Sequence, residues 1–309
     1  MLAPELLAAA RQATAVGPVL APAFLRLKGK DARSFLHRMS TQDLAVLGPG
    51  QSAYAAFLTA KGHIVADAHV LVRDAEVLLS LDPSAAGPAH AHLETYVIMD
   101  EVAIEEGPPL RVLPVLGPEG PVRVEGRAPA AARVPNSRRG VPALDLWLGA
   151  PEAEGLRAEL AALGLPTLGE EDLEALRILG AVPRFGTELS RSRLLLEAGL
   201  ERDAVSFTKG CYIGQEIVLR ATARGHLQRG LVQLALPQGA GAGTSLFSGG
   251  VEVGAVTSAA DTPQGRVGLG YLQKAHWREG SRLSAAGGEA IVTKVVVGEG
   301  TNRPVPPKT

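Results

Sequence analysis

The stretch KGCYIGQE, from Lys209 to Glu216, contains the single cysteine of the 309-residue chain, Cys211. Gly210 and Gly214 flank it and permit sharp backbone turns or close approach of a ligand. A neighbouring lysine and the amino end of a helix predicted to begin in GQEIVLR both favour the thiolate form of a cysteine. The alternative is that Cys211 is a small buried side chain.

One cysteine excludes an intramolecular disulfide, and it excludes a zinc or iron–sulphur site held by several cysteines of the same chain. A reducing compartment, the cytoplasm, is the expected location. His90 and His92 lie two apart on a predicted helix, and His63 and His69 lack a third ligand at useful spacing. We therefore predict no metal site.

The chain is longer than one hydrophobic core usually supports, so two or three compact units are expected. Its 31 basic and 32 acidic residues give a net charge of −1, which provides no overall field toward nucleic acid or an anionic membrane. The N-terminal segment MLAPELLAAARQATAVG is typical of an amphipathic helix, not of a signal peptide, and no apolar run is long enough to span a bilayer. Membrane partners are therefore not expected.

Hydrophobic periodicity predicts an α+β organisation for the first part of the chain. Asp31 is expected to cap a helix through DARSFLHRMS. Three segments beginning at Ser52, His63 and Glu76 are predicted to form an antiparallel meander. A strand at 23–28, a helix at 84–98, and strands at 102–106 and 110–117 complete the pattern.

The second part begins with a loop-rich stretch that includes RVPNSRRG, which we interpret as solvated surface. Helices are predicted at 151–164 and 170–180. From Leu231 onward, short alternating segments with frequent glycine predict a separate β-barrel or sandwich. The expected units are 1–115, 116–228 and 229–309, with part of 170–228 packing on the first unit.

KGCYIGQE resembles the signature of the YgfZ-type folate-binding proteins, a branch of the glycine-cleavage T-protein (aminomethyltransferase) superfamily that also includes mitochondrial iron–sulphur assembly factors. Further segments match that superfamily in the expected order: DARSFLHRMSTQDL, LTAKGHIVADAHVLV, RILGAVPRFGTEL, LEAGL and VGAVTSA. The resemblance implies two α+β units around a central folate cavity, with a C-terminal β-barrel packed alongside. It also implies tetrahydrofolate, or a one-carbon-substituted derivative, as the cofactor.

The resemblance assigns a role to Glu197, which lies in LEAGL and matches the family glutamate that hydrogen-bonds the pteridine ring. A carboxylate suits that role because it can accept two parallel N–H bonds. From the residues alone, an exposed acid in the first turn of a helix is the alternative. Within the signature, Cys211 is the implied working thiol, and Lys209 and Tyr212 are implied cofactor contacts.

Asp67 matches the second of two adjacent aspartates that aminomethyltransferases carry beside the reactive end of folate. The first position is Ala66 here, which indicates that folate binding is kept while aminomethyl transfer is not. An acid within an apolar alternating strand is either partnered or functional, and both interpretations stay open.

Arg177 matches a segment that lines the folate-binding face of the family. Other arginines nearby would attract an anionic folate tail or RNA phosphates, or they are solvated or paired with Glu188, Glu197 and Glu216. These arginines are Arg184, Arg191, Arg193, Arg220 and Arg224.

The resemblance implies a folate-binding accessory protein that supports assembly or repair of iron–sulphur proteins, and hence tRNA-modifying iron–sulphur enzymes. Its expected partners are iron–sulphur proteins or cluster-assembly factors. The alternative is a tetrahydrofolate-dependent aminomethyl or one-carbon transferase, in which Asp67 would orient the substrate amine. Direct RNA binding is a third hypothesis, against which the near-neutral charge speaks.

Overall fold

A computed structural model describes residues 1–224 and 227–297, with the side chains of residues 223 and 224 excluded. The helices are α1 (Pro4–Gln12), α2 (Ala32–Met39), α3 (Pro83–Glu94), α4 (Gly120–Arg123), α5 (Ala150–Ala162), α6 (Glu170–Leu179), α7 (Glu201–Ala204) and α8 (Gln215–Arg224). The strands are β1 (Ala15–Val16), β2 (Ala23–Lys28), β3 (Ser52–Leu58), β4 (Ile64–Val72), β5 (Glu76–Leu81), β6 (Ala103–Glu106), β7 (Arg111–Leu116), β8 (Ala132–Pro135), β9 (Ala143–Leu148), β10 (Arg229–Ala235), β11 (Ser245–Ser248), β12 (Val251–Thr262), β13 (Gly265–Gln273), β14 (Arg282–Ala285) and β15 (Gly288–Val295). In these two ranges, no helix combines the length and the apolar character that crossing a membrane requires.

The first sheet has the strand order β3-β4-β5-β2-β6 and is antiparallel, which confirms the predicted meander. Its alternating apolar residues pack with the buried faces of α2 and α3 around Phe35 and Phe57. The helix after Asp31 is confirmed, but the predicted cap is wrong. The Asp31 carboxylate accepts the backbone N–H of Glu101 at 2.9 Å, from the segment just before β6, and caps no amide of its own helix.

The second sheet has the order β1-β7-β9-β8 and packs against α5. Two of its strands, β1 and β7, come from residues that the sequence assigned to the first unit. Strand pairing therefore does not follow a single boundary: apart from β1, the second sheet begins at β7, a few residues before residue 116. Leu58 and Ile64 share a core with Leu195 and Val218. The expected division into units stays a prediction.

Strands β10 to β15 close into a barrel, in the order β10-β13-β12-β11-β14-β15, as the glycine-rich alternation predicted. Glu188 joins the barrel to the second unit. Its fully buried carboxylate accepts hydrogen bonds from Thr257 (2.8 Å) and Ser258 (2.7 Å) of β12, and from the guanidinium of Arg177 (2.8 Å). The carboxylate also accepts the backbone N–H of Arg184 at 3.0 Å, so its burial is compensated by four donors.

Candidate functional site

A cavity of about 910 Å³ lies where the two sheets and the barrel meet. Tyr54, Asp67 and His69 of the first sheet form what we call the cavity floor. The second unit contributes Asn136, Arg138 and Asp145, and the barrel contributes Asp261 and Arg266. A cavity of this size, with few but convergent polar groups, is typical of small-molecule sites.

Strand pairing explains the composition of the cavity floor. Tyr54 lies opposite His69 across the β3–β4 pair, and Asp67 lies two residues before His69, so all three belong to one face. The Tyr54 hydroxyl donates to Asp67 Oδ2 at 2.7 Å. The other carboxylate oxygen, Oδ1, is buried and has no hydrogen-bond partner among the described residues.

The surroundings of Asp67 and His69 shift both acidities. Burial raises the pKa of Asp67, and the opposing effects of the Arg138 charge and the Tyr54 hydrogen bond are smaller. Burial also lowers the pKa of His69 to about 4, so this imidazole is neutral near pH 7 and offers one donor and one acceptor. The floor thus combines a carboxyl group that has one unpartnered oxygen among the described residues with a neutral heterocycle.

Arg138 shows that the interpretation of RVPNSRRG as solvated surface is wrong. Its side chain is only 8% exposed, and its guanidinium lies 4.2 Å from the centre of the Tyr54 ring. Arg139 binds both oxygens of the buried Asp145, at 3.2 and 2.7 Å, and Asn136 donates to the same carboxylate at 2.7 Å. The loop is drawn inward because Asp145, within β9, needs donors.

Cys211 is exposed, so the alternative of a small buried side chain is wrong. It lies in residues 205–214, which we call the thiol loop. Gly214 has a φ of +83°, and a Cβ there would lie 2.7 Å from the Thr59 carbonyl. On the other side of the contact, Gly62 has a φ of +75° and packs on Ile217. These glycines let the signature sit directly on the β3–β4 turn.

Lys209 binds the end of α2. Its ammonium donates to the carbonyls of His37, Ser40 (2.8 Å) and Gln42 (2.9 Å), and burial lowers the pKa of Lys209 to about 8. The ring centre of Tyr212, which is also buried, lies 5.3 Å from the same ammonium. Lysine is suited to this position because one side chain can satisfy several carbonyls left open at a helix end.

No family model matches the chain. The mouse mitochondrial iron–sulphur cluster assembly factor IBA57 is 30% identical to it over 285 residues, which cover 81% of this chain and 75% of the mouse protein. The chain belongs to the YgfZ and IBA57 family of the glycine-cleavage T-protein superfamily. The tRNA-modifying protein YgfZ of Klebsiella pneumoniae (strain 342) is 27% identical over 224 residues, covering 68% of each chain.

A solved structure, the glycine cleavage system aminomethyltransferase T from Bartonella henselae, matches the fold of this YgfZ-type chain. The TM-score is 0.81, with 97% of this chain and 91% of the other covered at 19% identity. The predicted architecture of two α+β units and a C-terminal barrel is therefore confirmed.

Arg177 lines the cavity, but its charge is already bound. The guanidinium pairs with Glu174 (Nε to Oε2, 2.8 Å) and with Glu188, and it also donates to the Val182 carbonyl at 3.2 Å. Although burial opposes the charged form, the two carboxylates raise the pKa of Arg177. This arginine holds α6 against the barrel, and a direct contact with folate stays a prediction.

Glu197, the residue matched to the pteridine contact, is 6% exposed and is not among the residues that line this cavity. Its carboxylate accepts the backbone N–H of Leu194 at 3.3 Å and lies 3.6 Å from Arg229 of the barrel. Burial raises the pKa of Glu197. The alternative of an exposed acid is wrong, and the pteridine contact stays a prediction. Lys209, Cys211 and Tyr212 likewise lie outside the lining.

The remaining arginines do not gather on one face. Arg184 lines the cavity with a side chain 54% exposed, Arg193 lies 3.9 Å from the centre of the Tyr271 ring, and Arg220 pairs with Glu216 on α8. The side chain of Arg224 is outside the described part of the chain. Of Arg184, Arg191, Arg193 and Arg220, whose side chains the structure describes, Arg184 alone lines the cavity.

The sequence pointed to Asp67 but missed Tyr54, His69 and Arg138. A tyrosine or histidine within a strand, or an arginine in a polar loop, carries no signal of its own. Strand register and loop packing bring these three residues together. One sequence-level signal was available. Tyr54 and His69 occur on consecutive predicted strands at positions that a tight hairpin places opposite each other.

Proposed function

We propose that this protein binds a reduced folate in its cavity and supports the assembly or repair of iron–sulphur proteins, with Cys211 as the reactive thiol. The observation that carries the folate part is Asp67, whose Oδ1 is buried with no partner in residues 1–224 and 227–297, while Oδ2 is held by Tyr54. A buried carboxylate oxygen without a donor costs free energy, and the N–H groups of an aminopyrimidine edge are donors of the required kind.

Other residues fit the remaining chemistry of a folate. Neutral His69 can exchange hydrogen bonds with a heterocycle, and the exposed part of Arg184 suits the carboxylates of a glutamate tail. When bound, reduced folate supplies a nitrogen centre that carries or accepts a one-carbon unit. The task of the chain's own residues is to bind and orient it and to keep Asp67 in place.

The iron–sulphur part rests on family membership and on the exposure of Cys211. The mouse relative is described as an iron–sulphur cluster assembly factor, and the bacterial relative as a tRNA-modifying protein. An exposed thiol on a fixed loop can reach the cluster or thiols of another protein, where a buried one cannot. A cluster would be a substrate that Cys211 engages together with ligands of the partner, since one cysteine cannot hold it alone.

Aminomethyl transfer is the second candidate, and the carboxylate of Asp67 in the cavity favours it. A carboxylate beside bound folate can accept a proton or a hydrogen bond from a substrate amine. Ala66, which replaces the first aspartate of the pair, speaks against it. Its side chain is fully buried in the first core, so no second carboxylate is available at that position.

Two measurements test these proposals on the purified full chain. Calorimetry with 5-formyltetrahydrofolate, a stable reduced folate, is expected to show saturable binding, and the absence of any saturable heat would remove the folate proposal. Turnover of an aminomethylated lipoyl carrier protein with tetrahydrofolate is expected to be absent. Multiple turnovers would replace the accessory role with the transferase.

A further inference from the structure

Arg138 touches both the cavity floor and the segment that leads to the thiol loop. Its guanidinium lies over Tyr54, whose hydroxyl donates to Asp67. Nη2 donates to the Pro183 carbonyl at 2.6 Å, which fixes the side chain, and Nη1 lies 3.3 Å from Asp203 Oδ2 on α7. One buried arginine therefore joins two regions that are far apart in sequence.

From α7, a continuous set of hydrogen bonds reaches the signature. The hydroxyl of Thr41, a fully buried residue, donates to the Ala204 carbonyl at 2.5 Å, and the Thr41 carbonyl accepts the N–H of Ser206 at 3.0 Å. The N–H of Lys209 donates to the Ser206 hydroxyl at 3.2 Å, and its ammonium binds the Gln42 carbonyl. These contacts hold the thiol loop at one end.

Thr41 also connects this set of contacts to the floor. The backbone N–H of Ala56 donates to the Thr41 hydroxyl at 3.0 Å, and Ala56 lies opposite Asp67 in the β3–β4 pair. The thiol loop is thus anchored on the strand that carries Tyr54 and on the arginine that covers Tyr54. No residue of the loop needs to line the cavity to respond to what binds there.

We propose that Arg138 is a positioning residue that couples the cavity floor to the thiol loop, so that a ligand bound at Asp67 orders residues 203–209. The inference rests on the proposed function, since the ligand is a reduced folate. A ligand that fixes Asp67 and Tyr54 also fixes the ring on which Arg138 lies, and thereby Asp203. The elements that respond are α7, which has four residues, and the thiol loop. Their local opening is an equilibrium of the type that ligands commonly shift.

Hydrogen exchange on the full chain, with and without saturating 5-formyltetrahydrofolate, tests the coupling. The amides of Ser206 and Lys209 are the reporters. In the wild type, folate is expected to slow their exchange about fivefold or more, the lower end of common coupling factors. Arg138→Met at saturating folate is expected to lose most of this slowing, and Arg138→Lys, which keeps the charge but not the planar fork, is expected to restore part of it.

Asp203→Asn is the second variant, and it decides the test if Arg138→Met fails to fold. The Asp203 side chain is 47% exposed and lies outside the cavity lining, so folate affinity is expected to stay within about twofold of the wild type. The slowing at Ser206 is expected to decrease. Equal slowing in the wild type and in all variants that fold would overturn the role of Arg138.

Two further outcomes separate this inference from the proposed function. Saturable folate binding by the wild type with unchanged exchange at both amides would overturn the coupling alone. Absence of saturable binding would overturn the proposed function, and the coupling with it.

Discussion

The cavity floor and the thiol loop differ in what each leaves unsatisfied. In the floor, Tyr54, Asp67 and His69 are half-buried, and one carboxylate oxygen of Asp67 is buried without a hydrogen-bond partner in the described part of the chain. In the thiol loop, Lys209 and Gly214 fix the backbone against α2 and the β3–β4 turn, while Cys211 itself is exposed. The first arrangement suits selective binding of a small molecule, and the second suits reaction with a large partner. The proposed function thus assigns the two tasks to separate regions.

Removal of the thiol should have the largest effect. Cys211→Ala is expected to abolish support of iron–sulphur enzymes in cells, because an exposed thiol is lost without any change of packing. Unfolding free energy should stay within about 0.5 kcal/mol of the wild type, as for most exposed sites, and folate affinity should be unchanged. Enzyme activity in a complemented deletion strain and thermal unfolding of the purified variant measure these effects.

Thr208→Ala provides the control, since Thr208 is an exposed residue of the same loop. It should retain full support. Full support by Cys211→Ala would remove the thiol from the proposed function and leave the cavity as the site that matters.

Replacement of the floor carboxylate should have the next largest effect. Asp67→Asn is expected to weaken folate binding by about 2 kcal/mol, roughly 30-fold, the value of a hydrogen bond to a charged group. Ligand N–H donors require the ionised carboxylate, so wild-type affinity should fall as pH decreases through the raised pKa of Asp67, and the variant should lack this dependence. Calorimetry across mildly acidic pH measures both.

Stability should change in the opposite direction. Because burial raises the pKa of Asp67 above its unfolded value, ionisation costs the fold free energy at neutral pH, and Asp67→Asn should not lower the melting temperature.

Glu197→Ala tests which carboxylate contacts the ligand. It should weaken folate binding less than Asp67→Asn, because Glu197 lies outside the cavity lining. A larger loss would move the pteridine contact to Glu197.

Replacement of Lys209 should have the smallest effect. It separates two explanations of this lysine in the signature, namely that it fixes the loop or that it activates the thiol. Lys209→Met is expected to lower the unfolding free energy by about 1–2 kcal/mol, because three carbonyls lose their donor. The rate of Cys211 alkylation should not change. Lys61→Met, at an exposed lysine, is the control for the loss of a surface charge. Slower alkylation of Cys211 in Lys209→Met alone would show that this lysine activates the thiol.

Much of the fold was predictable because hydrophobic period and glycine spacing are local. The meander, the helix at α6 and the barrel strands each follow from the residues within them. The pairing of β1 with β7 was not predictable, since a two-residue strand has no period. The Asp31 cap failed for a related reason, because Glu101, 70 residues away, competes for its carboxylate.

The candidate site was predictable only where a residue type is unusual in its surroundings. Asp67 stands out as an acid within an apolar strand, and Cys211 stands out within its motif. Arg138 does not stand out, because arginines in a polar loop are usually solvated, and only Tyr54, Pro183 and Asp203 together explain its burial. Arg177 is the opposite case. The family resemblance matched it to ligand binding, but in the structure two carboxylates hold its guanidinium.

The four donors around Glu188 limit where this chain can be truncated. Two of them, the hydroxyls of Thr257 and Ser258, belong to the barrel, and the other two belong to Arg177 and Arg184 of the second unit. A chain truncated before the barrel would lose these two donors and would expose the apolar residues Ile178 and Ala181, which pack against Leu231 and Leu269 of the barrel. The barrel is therefore not an independent module, and the smallest fragment expected to keep the cavity intact includes it.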